Sequence, residues 1–238
     1  ELLVDLDALP KSASECFEYA VQTFYTPRTL GECLALREDY PGAYILAGGT
    51  DLGLLVSKER QVLETVIHLA GVDELTYVRC TDTHLEIGAA ATYTDALLQI
   101  DDLYPSMAAM IRRIGSRQIR NLGTVCGNVG NASPIGDMPP CLIALDATVV
   151  LHSLVGGRRE IAIEDFFVDY QETDLHPDEI IEAVRIPHIA DHQTFHVYKV
   201  SKRFDQDISA VLGAFRLGID DRTVADARFA YGGMAATP

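Results

Sequence analysis

The chain has 238 residues, 48% hydrophobic and 23% charged, which supplies the core of one large domain or two small ones and argues against disorder. Its formal net charge of −16 excludes nucleic acid and anionic membrane surfaces as partners, because neutralising phosphates requires basic surface. No apolar run approaches the ~18 residues of a membrane span, and five cysteines (Cys16, Cys33, Cys80, Cys126, Cys141) without metal-ligand spacing point to reduced thiols in a reducing cytoplasm.

Glu1 in place of Met and the ending A-A-T-P suggest a piece of something longer, and residues 1–22 read as a linker or ordering tail. Thr29 is placed to cap a helix, with Glu32 in the capping-box position. The apolar run Ala43 to Ala47 is bounded by glycines like a buried strand and ends in G-G-T-D, Gly48 to Asp51, before helical character resumes. That is strand–turn–helix with β-α-β spacing. Thr65 to Gly88 reads as strands, with a hairpin across Asp82. Thr94 is expected to cap a helix carrying Asp95 in its first turn, and a second helix is expected over roughly Ser106 to Asn121.

The stretch N-L-G-T-V-C-G-N-V-G-N-A-S-P-I-G-D-M-P-P, Asn121 to Pro140, then reads as one long glycine-rich loop. Two runs flanking Gly156-Gly157 predict a hairpin, and Glu179 to Pro187 a strand stopped by proline. From Phe195 onward three runs read as an antiparallel sheet. The tally is an α+β protein with a composition change near Pro187.

Two glycines ending a strand let backbone N–H groups face open space, an arrangement that suits a pyrophosphate. An ordinary turn with Thr50 and Asp51 capping the next helix fits the same four residues. The bare stretch tips the reading toward a ligand. Gly123, Gly127 and Gly130 remove side chains where a ligand could touch main chain; Thr124, Asn128, Asn131 and Ser133 add hydrogen-bonding groups; Asp137 is the one fixed charge. Loops this long in compact domains are usually functional or disordered, and this one is too apolar for disorder. Arg112, Arg113, Arg117 and Arg120 fit either a positive field near a diphosphate or a solvated face paired with local carboxylates. His68, His84 and His152 lie in apolar or alternating runs and read as structural. No carboxylate or histidine pattern indicates a metal centre or a nucleophile–base pair.

The motifs A-G-G-T-D-L, R-R-I-G-S-R-Q-I-R-N-L-G-T-V-C-G-N-V-G-N-A-S-P-I-G-D-M-P-P, Y-K-V-S-K-R-F-D-Q-D-I-S-A-V and A-Y-G-G-M-A occur in that order. Together they resemble the FAD-binding domain of the molybdenum-containing hydroxylases, leaning toward the xanthine dehydrogenases. The resemblance implies a vanillyl-alcohol-oxidase (PCMH) type of FAD-binding fold over residues 23–187, with two α+β subdomains. The start of a smaller α/β flavoprotein C-terminal domain would follow over 188–238.

It also implies site residues. Leu46, Ala47, Gly48, Gly49, Thr50, Asp51 and Leu52 match a loop that wraps the pyrophosphate. Thr124, Gly127, Asn128 and Asp137 match a second loop, with Asp137 toward the ribose or adenosine end. Ile181 falls where an aliphatic residue packs on the cofactor, and Lys199 matches a lysine that reaches the flavin's pyrimidine edge and tunes it. Asp205 and Asp207 lie on a loop that affects nicotinamide access. Ile114 stands where relatives often have phenylalanine, which keeps water out but loses the aromatic contact.

The implied activity is electron relay. Hypoxanthine or xanthine is hydroxylated to urate at a molybdopterin centre in a large partner subunit. Electrons then pass through [2Fe–2S] clusters in an upstream or separate iron–sulfur domain to FAD in this chain, and on to NAD+. Two rivals stay open: the FAD subunit of a molybdenum hydroxylase acting on carbon monoxide, an aldehyde or an aromatic thioester, and a nucleotide-binding module with no redox role.

Overall fold

The computed structural model describes residues 13–238. Most of the expected tail lies outside the described residues, but its last part does not: Glu15–Tyr19 (β1) pairs antiparallel with Gln22–Thr26 (β2). Leu30–Asp39 (α1) opens with the predicted capping box, Thr29 accepting from the Glu32 N–H and Glu32 reaching back to the Thr29 N–H. Tyr44–Leu46 (β3), Leu52–Ser57 (α2) and Thr65–His68 (β4) form the predicted β-α-β unit, and β3 pairs parallel with β4. The first sheet has the order β1-β2-β4-β3.

Val78–Cys80 (β5) and His84–Gly88 (β6) form the expected hairpin. Tyr93–Leu103 (α3) is capped by Thr92, not by the expected Thr94; Asp95 closes the box, and Thr94 donates to Asn121 instead. The single helix expected over Ser106 to Asn121 is broken in two, Pro105–Ile111 (α4) and Arg117–Arg120 (α5). The break lies at Gly115, whose φ of +49° is left-handed, and a side chain there would collide with Ile119. Arg113, expected by its spacing to share a helix face with Arg117 and Arg120, is therefore separated from them. Arg112 pairs with Asp101, Arg120 donates to the Ile114 and Gly115 carbonyls and closes the turn, and Arg113 points elsewhere.

The long loop expected over Asn121 to Pro140 is also corrected, because it contains Val125–Gly130 (α6) and the start of Met138–Ala144 (α7). Glycines misled the reading: a one-turn helix tolerates them when tertiary contacts hold it. Pro139 and Pro140 sit in the first turn, where no N–H is required.

Thr148–Ser153 (β7) and Gly157–Ala162 (β8) form the predicted hairpin, followed by Ile163–Phe166 (α8), Phe167–Asp169 (β9) and Glu172–Thr173 (β10). Glu179–Pro187 (β11) is buried along nearly its whole length at the centre of a five-stranded sheet, order β5-β6-β11-β7-β8. Gln193–Val200 (β12), Val211–Asp220 (β13) and Thr223–Gly232 (β14) make the expected antiparallel sheet.

Buried polar groups tie these layers. The Arg37 guanidinium donates to the carbonyls of Ala43 at 2.9 Å and Glu179 at 3.0 Å, joining the approach to β3 with the start of β11. The Tyr104 hydroxyl donates to the Pro187 carbonyl at 2.8 Å while its ring meets Phe195 edge-on. In this way α3 and α4, β11 and β12 share one core, and α7 packs under β13 and β14.

Candidate flavin site

β3 ends at Leu46, and the chain turns through Gly48 to Asp51 into α2. Gly49 takes φ +67°, which favours glycine. The backbone of Gly48 presses against the second motif so closely that a Cβ would lie 1.8 Å from the Leu122 carbonyl oxygen. A Cβ on Gly123 would likewise come within 3.3 Å of Thr50 Oγ1 and of the Tyr93 ring. The two glycine-bearing segments, some seventy residues apart in sequence, are thus in van der Waals contact.

The rival reading of G-G-T-D as a helix cap fails on its own terms. Asp51 occupies the N-cap position of α2, but its side chain makes no capping bond. Among the described residues the N–H groups of Gly48, Gly49, Thr50 and Asp51 donate to no protein acceptor. Four consecutive amides without a protein acceptor, three of them on half-buried residues, can donate to water or to an anionic ligand.

On the second segment, local structure takes up several of the expected contacts. The Thr124 hydroxyl accepts from the Gly127 N–H at 2.9 Å as the N-cap of α6, and Gly127 leaves room for that hydroxyl. Asn128 Oδ1 accepts from the Met138 N–H at 3.1 Å, so Asn128 caps α7 from ten residues away. Asp137 holds the N-cap position of α7 without capping it, which leaves its carboxylate free.

That carboxylate turns to Lys199. Lys199 Nζ lies 2.6 Å from Asp137 Oδ2 and 2.9 Å from Ser209 Oγ, and Ser209 donates to Asp137 Oδ1. The lysine side chain is 1% exposed and the aspartate 9%. Asp137 and Lys199, expected toward different ends of the cofactor, are side by side here as one buried ion pair.

The loop between Lys199 and Ser209 is braced by Arg113. Its guanidinium donates to the carbonyls of Lys199 at 2.9 Å and Phe204 at 2.6 Å and to Ser201 Oγ at 3.1 Å, and lies over the Phe204 ring. Asp207 accepts from the Arg203 N–H inside the same loop, which holds its carboxyl below the usual range. Ile114 adjoins this brace on the α4–α5 turn. Ile181 is buried on β11, where its side chain packs over Gly130 of α6.

Sequence reasoning missed two residues. Ser209 lay inside a quoted motif but carried no signal of its own. Tyr93 is 4% exposed, its N–H donates to the Gly123 carbonyl at 2.9 Å, and its buried hydroxyl has no partner. Burial raises its pKa, and the Asp137 charge adds to the effect. Burial pushes the Cys126 thiol up to about 12 and the Cys141 thiol well above its ordinary value, which favours the protonated, less nucleophilic form.

Unpaired amides on one loop, a glycine cradle against the other and an orphaned hydroxyl behind them fit a bound dinucleotide such as FAD. Among the described residues no group of three acidic, histidine or cysteine side chains is arranged for a metal, and no helix is long and apolar enough to cross a membrane.

Residues 17–189 match the family described as FAD binding domain in molybdopterin dehydrogenase, and residues 196–238 match the CO dehydrogenase flavoprotein C-terminal domain. The nicotinate dehydrogenase FAD-subunit of Eubacterium barkeri is 36% identical over 84% of this chain and 70% of its own length. The xanthine dehydrogenase/oxidase of Gallus gallus is 29% identical over 93% of this chain, which spans only 17% of that protein's length. Among solved structures, carbon monoxide dehydrogenase from Hydrogenophaga pseudoflava superposes with a TM-score of 0.85 at 25% identity, over 93% of this chain and 77% of that one. Quinoline 2-oxidoreductase from Pseudomonas putida 86 gives 0.82 at 25% identity, over 93% and 77%. The mixed α/β architecture is therefore the PCMH-type flavin fold, and the touching glycine segments lie inside the matched range. The chain belongs to the FAD-binding domain family of the molybdopterin dehydrogenases, the flavoprotein part of the molybdenum hydroxylases.

Proposed function

We propose that this chain carries FAD as the electron-transfer module of a xanthine dehydrogenase, receiving electrons from [2Fe–2S] clusters and delivering them to NAD+ while a large molybdopterin-binding partner oxidises hypoxanthine or xanthine to urate. The observation that carries the flavin reading is the row of unpaired amides from Gly48 to Asp51 seated against Leu122 and Gly123. The purine reading rests on the xanthine dehydrogenases among its relatives, from Gallus gallus, Arabidopsis thaliana and Emericella nidulans, at 29–31% identity.

In this reading Leu46 to Leu52 wrap the pyrophosphate, with the four amides donating to its oxygens. Thr124, Gly127 and Asn128 hold the second segment in shape through their caps, so that Gly123 stays against Thr50. Ile114 and Ile181 exclude water from the cofactor's apolar parts. Bound FAD supplies the exchange between one-electron carriers and a two-electron acceptor. Lys199 offers it a positive charge already offset by Asp137, so the pair acts more as an oriented dipole than as a free cation. Asp205 and Asp207 sit on the braced loop and limit nicotinamide approach. The boundary between the FAD-binding and C-terminal units is placed at 187–188, where β11 ends. Five free thiols support a reducing cytoplasm.

A second reading is favoured by the nicotinate dehydrogenase FAD-subunit, which at 36% exceeds the identity of those xanthine dehydrogenases. There the molybdenum partner would hydroxylate a nicotinate-like ring. The full-length protein with its partners, assayed with NAD+ and either xanthine or nicotinate, separates the two. Turnover of nicotinate alone overturns the purine reading. A purified protein that lacks a flavin spectrum and cannot be reconstituted with FAD overturns both.

A further inference from the structure

The sheet of β12, β13 and β14 is apolar on both sides. Its inner side carries Phe195, Leu212, Ala214 and Ala230, all buried in the core shared with α4 and α7. The outer side is set by register. Tyr198 stands opposite Gly213 and Gly213 opposite Tyr231; two residues along, Phe215 stands opposite Phe229; Val200 stands opposite Val211. The Phe215 ring meets Tyr198, Phe229 and Tyr231 edge-on, with centroids 5.9, 5.4 and 5.6 Å away. Gly213 makes room for that arrangement, since a Cβ there would come within 2.8 Å of the Phe215 ring.

This cluster is left open. Tyr198 is 60% exposed, Phe229 53%, Tyr231 43% and Val200 59%. An antiparallel sheet with one wet face alternates apolar inward with polar outward, and β8 of this chain does so, turning Arg158 and Glu160 to the outside. The outer positions of β12–β14 named above carry no charge. They leave on the order of several hundred Å² of contiguous apolar surface, a size that marks a contact.

We propose that this face is an internal packing surface, covered by a segment of the same polypeptide that follows residue 238 and lays apolar side chains across Tyr198, Phe215, Phe229 and Tyr231. Two observations favour that occupant over a separate molecule. Residues 234, 235, 237 and 238 run along the rim of the face and line an open hollow with Ile143, Phe229 and Tyr231, so a following segment is tethered beside it at high effective concentration. The relatives also have the length: this chain spans 70% of the nicotinate dehydrogenase FAD-subunit and 77% of the Hydrogenophaga pseudoflava chain. Tyr198 and Val200 flank Lys199 on β12, so the cover also fixes the strand that carries the ion pair with Asp137. The inference does not rest on the identity of the substrate or of the electron acceptor.

The test uses the full-length protein with its partners. A photo-crosslinking residue, p-benzoylphenylalanine, replaces Tyr198 in one variant and Phe229 in another, and the joined peptides are read by mass spectrometry. Both are expected to join to residues of the same chain beyond 238. Joining to a second copy or to a partner subunit overturns the proposal. The unaltered protein gives a measurement free of any folding defect: nitration of Tyr198 and Tyr231 by tetranitromethane is expected to run at least tenfold slower than that of N-acetyltyrosinamide. A rate within threefold of that free tyrosine means the face is open to water, and that also overturns the proposal.

Discussion

Lys199 Nζ and Asp137 Oδ2 lie 2.6 Å apart, 62 residues distant in sequence, and neither side chain is more than 9% exposed. Each neutralises a charge that would otherwise be stranded in a low-dielectric interior, and Ser209 satisfies a further position on both. The pair therefore ties β12 to the start of α7.

Asp137→Ala is expected to lower stability by about 3–5 kcal/mol, because it leaves a buried ammonium without its counter-charge. The double variant Asp137→Ala/Lys199→Met is expected to recover a large part of that loss. Urea unfolding of the four proteins in the cycle checks this, and equal stability of the single and double variants would refute the pairing.

Gly48→Ala should separate the two glycine segments, since its Cβ would collide with the Leu122 carbonyl. The expected loss is about 1–3 kcal/mol of stability, as for other overpacked sites, together with a marked fall in flavin content. Gly53→Ala is the control. Its Cβ meets nothing within 4 Å inside α2, so it is expected to be neutral or to gain up to about 1 kcal/mol. Flavin-to-protein absorbance ratios distinguish the two.

Arg113→Ala removes three donors from the loop between Lys199 and Ser209. Trypsin is expected to cut at Lys202 or Arg203 several-fold faster than in wild type, with a global stability change of only about 1–2 kcal/mol. Unchanged cleavage would mean that the loop is held by something other than Arg113.

The acid limb of the stability profile should carry a contribution from Glu86. Burial pushes its carboxyl up, but hydrogen bonds from Tyr77, Arg185 and Arg79 outweigh that and hold it at about 2, below its ordinary 4.5. Because the folded value lies below the unfolded one, the group favours folding in full above pH 4.5 and loses that effect as pH falls toward 2. Glu86→Gln is expected to flatten this part of the profile, measured by denaturation between pH 2 and 6.

The elements legible in the sequence were those written in local chemistry. Thr29 and Glu32 close a helix start within three residues, Gly156-Gly157 turns a hairpin, and Glu179 to Pro187 reads as a strand stopped by its proline. The glycine segments were likewise visible, because a ligand that touches main chain needs bare backbone. The short helices α6 and α7 were not legible. Their residues have poor helical propensity, and Val125, Cys126, Val129 and Met138 hold them by burial in the shared core.

The amino-acid order by itself determined where the backbone is bare, where several of the strands and hairpins lie, and that two such bare segments exist, since turns, caps and alternation act between near neighbours. Only the tertiary structure decided that those segments touch, that Asp137 pairs with Lys199, and that Arg113 leaves its helix to brace a loop 91 residues on. The reason is physical. Ion pairs and close backbone approaches depend on distances set by the packing of whole sheets and helices, and no spacing along the chain encodes them.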